Sequence, residues 1–170
     1  FAHNSSNIKN MNLKPIFYTF EEWSFQLQTF IQSFVLVFFV FIFLKFSLLS
    51  NFLLYSWIPL LNLFIFIYWF PLIVCLISVR FTDIAQLVPI ILQLVFLTSP
   101  ILYRKESLGD LAWITDINFI YKILDSIRVT ILDGYINYQD SIIILIFNLI
   151  GLIVTIKYLD NEAKKLPFLL

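Results

Sequence analysis

Four stretches of this chain, 25–44, 55–79, 84–103 and 141–159, are each apolar for long enough to cross about 30 Å of hydrocarbon, a distance that takes roughly 20 residues of helix. Nothing else in the sequence limits the fold as strongly. With 61% hydrophobic and 13% charged residues among 170, no water-soluble domain of this size could bury the apolar surface. Lipid removes that difficulty, because a long apolar helix satisfies its own backbone hydrogen bonds and leaves only side chains facing hydrocarbon. The expected fold is therefore all-α, a multi-span helical membrane protein of four transmembrane helices in one domain over 1–170, with short amphipathic helices ahead of the last span.

The runs differ in character. The first opens with Gln26, Gln28 and Gln32 before the dense apolar run 34–44. Such amides favour packing on protein or the interface. The second carries Pro59, Asn62 and Pro71, and proline inside a helix frees a carbonyl and bends it. Between the second and third runs, Arg80 and Asp83 stand within four residues of each other, which reads as a tight turn at a membrane face. The 37 residues from Arg104 to Asp140 are neither an ordinary loop nor a span. Within them Ile120, Ile123, Leu124, Ile127 and Ile131 recur at helical spacing, with Asp116 as the expected N-cap and Gly134 just past the end. A shorter helix over 108–114 would precede it. Such segments either lie on the surface or dip in and return, and the residues leave both open.

Charge excludes some functions. Lysine and arginine match aspartate and glutamate at 11 each, so no basic excess recruits nucleic acid. Three dispersed glycines, Gly109, Gly134 and Gly151, make no phosphate-cradling loop, so ATP is not bound here through a P-loop. One histidine, His3, and one cysteine, Cys75, cannot build a zinc site. Catalytic, cofactor-binding and metal residues are accordingly expected to be absent. No carboxylate falls near the centre of a run, which argues against ion or proton coupling. Six neutral polar side chains, Gln32, Asn62, Gln93, Thr98, Ser99 and Asn148, remain, and are read first as hydrogen bonds between helices. Orientation is undecided by charge: with both ends cytoplasmic, six basic residues lie on that side and five on the other. The start at Phe1, without methionine or a signal-peptide layout, is read as that of an N-terminally incomplete protein.

The segment 78–103 narrows the class. Arg80, Asp83 and Ile84 form an Arg-x-x-Asp-Ile turn, Leu87, Val88, Leu92 and Gln93 give Leu-Val-x-x-x-Leu-Gln, and Ser99, Pro100, Ile101 and Tyr103 give Ser-Pro-Ile-x-Tyr. Over these 26 residues the chain resembles the membrane subunit of bacterial polysaccharide ABC exporters, the type 2 permeases that move O-antigen, capsule and wall teichoic acid. Weaker likenesses follow in order. Residues 7–15 resemble the segment that couples to the ATPase, Asn118, Arg128 and Gly134 resemble a stretch before the last span, and 164–168 resemble a basic, proline-containing tail. Phe119 departs from the family, which usually has proline there.

The resemblance implies further membrane helices before Phe1, a cytoplasmic coupling segment over 1–24, a periplasmic re-entrant gate over 104–140, and a cytoplasmic tail over 160–170. It also implies a homodimer in the bacterial inner (plasma) membrane, driven by a separate P-loop ATPase subunit that binds the ATP and moving a lipid-linked glycan among the membrane lipids. Asn7, Lys9, Lys14, Arg80 and Asp83 would couple to the ATPase; Ser99, Pro100, Tyr103, Asn118 and Arg128 would form the gate or path. Two other classes stay in view: a type 2 ABC permease for drugs or other lipids, and a membrane enzyme acting on lipid-linked sugars. Against the enzyme, Asp110, Asp116, Asp125 and Asp133 are scattered rather than clustered.

Overall fold

A computed structural model of the chain describes residues 14–99, 109, 113, 115 and 118–163. They form six helices: α1 (Pro15–Leu44), α2 (Phe46–Tyr55), α3 (Trp57–Arg80), α4 (Thr82–Thr98), α5 (Phe119–Asp133) and α6 (Tyr138–Glu162). The protein is an all-α, multi-span membrane protein. Helices α1, α3 and α6 are long and apolar enough to cross a membrane, whereas α4, at 17 residues, is shorter.

Helix α1 begins ten residues ahead of the expected span. Pro15 sits at its first position, where a missing N–H costs nothing, so the segment read as a separate coupling region is helical from there on. The chain then breaks at Lys45, which is extended (φ −155°, ψ 116°), and α2 follows at once. A single residue, Ser56, separates α2 from α3. Pro59 lies in the first turn of α3, where no intrahelical N–H bond is required, so it marks the helix start rather than a bend. Pro71 in α3 and Pro89 in α4 lie inside continuous helix.

The pairing of α3 with α6 organises the bundle. Asn62 Nδ2 donates to the Ser141 carbonyl at 3.0 Å, Asn148 Nδ2 to the Asn62 carbonyl at 3.0 Å, and Trp69 Nε1 to Asn148 Oδ1 at 3.0 Å. Further along, Leu72 and Leu76 share a buried cluster with Leu159. Contacts advance in the same sense on both helices, so α3 and α6 run parallel. Close approach requires Gly151, because a Cβ there would lie 2.6 Å from Trp69 Cε2.

Helix α1 runs antiparallel to α3. Thr19 Oγ1 lies 3.2 Å from the Tyr68 hydroxyl, the Phe30 and Phe64 rings meet at 5.7 Å, and Phe34 then meets Phe52 of α2 at 4.8 Å. Tyr68 stands halfway along α3, so the first turns of α1 lie beside the middle of an apolar helix. Glu22 is carried there with them. It stands exposed on the same helix, ahead of the apolar run 25–44.

Helix α5 is capped at Asn118, whose Oδ1 accepts the Tyr121 N–H at 3.1 Å; the expected cap, Asp116, lies outside the described residues. It ends at Gly134, as expected, with φ 64° and ψ 31°. A Cβ at Gly134 would come within 2.8 Å of Asn51 Oδ1, and the left-handed backbone disfavours any other residue. Gly134→Ala should therefore destabilise the protein by about 1–2 kcal/mol. Thermal unfolding in detergent checks this, and an unchanged midpoint would refute the packing described. The outer half of α5 is pinned to α2 and the α2–α3 joint: Asn51 Nδ2 donates to the Ile131 carbonyl at 3.2 Å, and the Ser56 and Thr130 hydroxyls meet at 3.2 Å. Its inner end reaches the middle of the bundle, where the Phe119 ring meets Phe66 at 5.7 Å and Phe147 at 4.3 Å.

Candidate functional site

Two sets of residues singled out from sequence fall at two levels of the bundle. The first is the junction between α4 and α5. At the end of α4 the backbone turns extended at Ser99 (φ −86°, ψ 123°), and the side chain is buried at 2% exposure. Ser99 Oγ donates to the Val95 carbonyl at 2.7 Å and accepts Asn118 Nδ2 at 2.8 Å. Asn118 thus works with both ends of its amide: the oxygen caps α5 and the nitrogen ties that cap to the end of α4. The structure brings these two gate candidates into direct contact beside Phe66 and Phe147.

Arg128 lies in the outer half of α5 and is exposed. Pro100 and Tyr103, with most of the shorter helix expected over 108–114, lie outside the described residues. Replacing Asn118 with Ala removes both bonds, and loss of an N-cap alone costs about 1 kcal/mol. We expect Asn118→Ala to lower stability by about 1–2 kcal/mol, with Asn118→Asp retaining the cap but losing the bond donated to Ser99. Denaturant titration in detergent micelles reads the difference; equal loss in the two variants would contradict it.

The second set lies at the opposite end of α3. Arg80 closes α3 and Asp83 opens α4, each where the helix dipole favours its charge. Both side chains are exposed, and among the described residues neither has a partner. Lys14 precedes α1, whose antiparallel course directs its start from Thr19, beside Tyr68, toward this end, and Ile16 and Val79 pack on one buried cluster. Asn7 and Lys9 lie outside the described residues.

The neutral polar residues divide. Asn62 and Asn148 are fully buried and, with Ser99, bond between elements. Gln32 and Gln93 are exposed on the bundle surface. Sequence reasoning missed α2 with its Asn51, and the joint residue Ser56. The signal is the apolar spacing of Leu49, Phe52 and Leu53, in a segment too short to span a membrane.

A parallel pair of apolar helices, an antiparallel α1 packed on α3 and an amphipathic helix entering halfway define an integral membrane protein. The model of one family, ABC-2 type transporter, matches residues 13–132, and the chain belongs to that family. No curated protein and no solved structure matches the chain. It is thus the membrane component of an ABC transporter, and membership implies a separate ATP-binding subunit.

Proposed function

We propose that this chain is the permease subunit of a bacterial exporter that carries a lipid-linked polysaccharide across the inner membrane, with two copies forming the path and two ATPase subunits docked on the cytoplasmic face. The observation that carries the reading is the 78–103 turn-and-helix motif, whose Arg80 and Asp83 stand exposed on the hairpin between α3 and α4. An opposed pair of exposed charges on a hairpin between apolar helices is suited to meeting a charged surface on another subunit. ATP-driven approach of the ATPases would push on this end. The α4–α5 junction and the gate behind it would yield at the other.

The test is export itself. Deletion of the gene should remove the glycan from the cell surface and leave it on its lipid carrier inside. Complementation by Arg80→Ala or Asp83→Ala chains that still reach the membrane should restore export by a tenth or less of the parent, about the effect of losing one charge-assisted contact. Unchanged surface glycan in the deletion, with increased sensitivity to cationic drugs, would replace the proposal with the drug-exporting alternative.

A further inference from the structure

The cavity between α1 and α3 has chemistry that neither helix needs for packing. It measures about 410 Å³ and is lined by Tyr18, Thr19, Glu22, Trp23 and Gln26 from α1, facing Ile67, Tyr68, Pro71 and Cys75 of α3. The volume falls within the range of small-molecule sites. Tyr18 is 7% exposed, yet its hydroxyl has no hydrogen-bond partner among the described residues. Phenylalanine, the residue this chain uses 20 times, would fill that position without the penalty of an unpaired buried hydroxyl.

With Tyr18, the exposed Glu22 and Gln26 and the half-buried Thr19 line the cavity from α1, and Tyr68 lines it from α3. Glu22 Oε1 holds the Gln26 amide nitrogen at 3.3 Å, which leaves its other oxygen and the Gln26 carbonyl as open acceptors. Thr19 Oγ1 donates to the Ile16 carbonyl at 2.8 Å and so is held beside Tyr68. The Tyr68 ring is already covered, by Phe20 stacked at 5.0 Å and Trp23 edge-on at 5.8 Å, so its hydroxyl is what it offers. The opposite wall, Ile67, Pro71 and Cys75, is apolar.

We propose that this cavity binds a neutral sugar unit of the glycan, an inference that rests on the export reading above. A pyranose has hydroxyls that donate to Glu22 and Gln26, an oxygen or hydroxyl to pair with Tyr18, and a C–H face to lie on the apolar wall. The lining holds one carboxylate and no lysine or arginine, which disfavours the diphosphate of a lipid carrier. The site therefore reads the glycan and not its anchor. Its α3 wall, Ile67 to Cys75, runs along the middle of that helix.

Cys75 is the sole cysteine and lines the cavity, so it reports occupancy directly. In nanodiscs containing the permease with its ATPase partner, modification of Cys75 by methyl methanethiosulfonate is followed by mass spectrometry. Methyl β-maltoside or N,N′-diacetylchitobiose should slow the reaction saturably, and sodium pyrophosphate should not. Glu22→Gln should raise the half-protecting sugar concentration about 10- to 100-fold and Tyr18→Phe about 5- to 10-fold. Tyr18→Phe should leave the unfolding temperature unchanged or higher, which a packing role for the hydroxyl would not allow. The inference is overturned if neither sugar protects, if Cys75 does not react, if tetrapropylammonium protects as well as sugar, or if Tyr18→Phe leaves protection intact. Export that persists with a sugar-blind cavity sinks this inference alone. Sugar protection in a permease whose deletion leaves surface glycan unchanged sinks the export reading alone.

Discussion

Gly151→Val should force α3 and α6 apart and lower the stability of the protein by about 2–3 kcal/mol, the largest effect expected of any single methyl-bearing substitution in the bundle. The first added atom would lie 2.6 Å from Trp69 Cε2 and 2.8 Å from two more ring atoms, and a rigid indole cannot fold away as a flexible chain end would. Nor is the ring free to slide. Phe66, Phe70 and Phe147 surround it at 5.7–5.9 Å between centroids, and its N–H is bonded to Asn148. Valine gains about 0.5 kcal/mol of helix propensity over glycine, which offsets only part of the clash. Unfolding by added sodium dodecyl sulfate in mixed micelles measures the loss. Trp69→Leu in the Gly151→Val background should recover part of it, because the smaller side chain vacates the space that valine needs. A Gly151→Val protein as stable as the parent would mean that α3 and α6 do not meet here.

Asn148→Leu carries the second large effect. Its amide accepts from Trp69 and donates to the Asn62 carbonyl, all in a site with 0% exposure. Leucine matches the volume but leaves the indole N–H buried without an acceptor, at a cost of about 1–3 kcal/mol. The same exchange at Gln93, which faces outward on α4, should leave stability unchanged. A double-mutant cycle of Asn148→Leu with Trp69→Phe separates the bond from the packing, with a coupling of about 0.6–2 kcal/mol expected. Zero coupling would show that the two side chains do not interact.

That contrast between Asn148 and Gln93 marks the limit of what the sequence could tell. Composition and run length sufficed for a multi-span helical protein, since the cost of unpaired backbone in lipid leaves few alternatives. The 78–103 motif sufficed for the transporter class. Helix α5 was legible because its isoleucines keep one face and Gly134 closes it. Its cap was not: Asp116 and Asn118 are both good caps, and the choice depends on Ser99 waiting 19 residues upstream to take the amide nitrogen. Which polar residues face inward was equally hidden, because a run that is apolar all round carries no phase. The start of α1 is hidden for a related reason. Hydropathy finds where lipid can begin, whereas the helix begins where Pro15 permits, and the residues between the two limits include Tyr18, Thr19 and Glu22.

The single-residue joint at Ser56 has a mechanical consequence. Helices α2 and α3 meet there with no slack, and the Ser56 hydroxyl is shared with Thr130 while Asn51 grips the last turn of α5. Any tilt of α5 must therefore drag α2, and through one pivot that tilt reaches the long shaft of α3, whose far tip is Arg80. Two hydrogen bonds and one residue of chain thus link α5 to the helix that ends at Arg80.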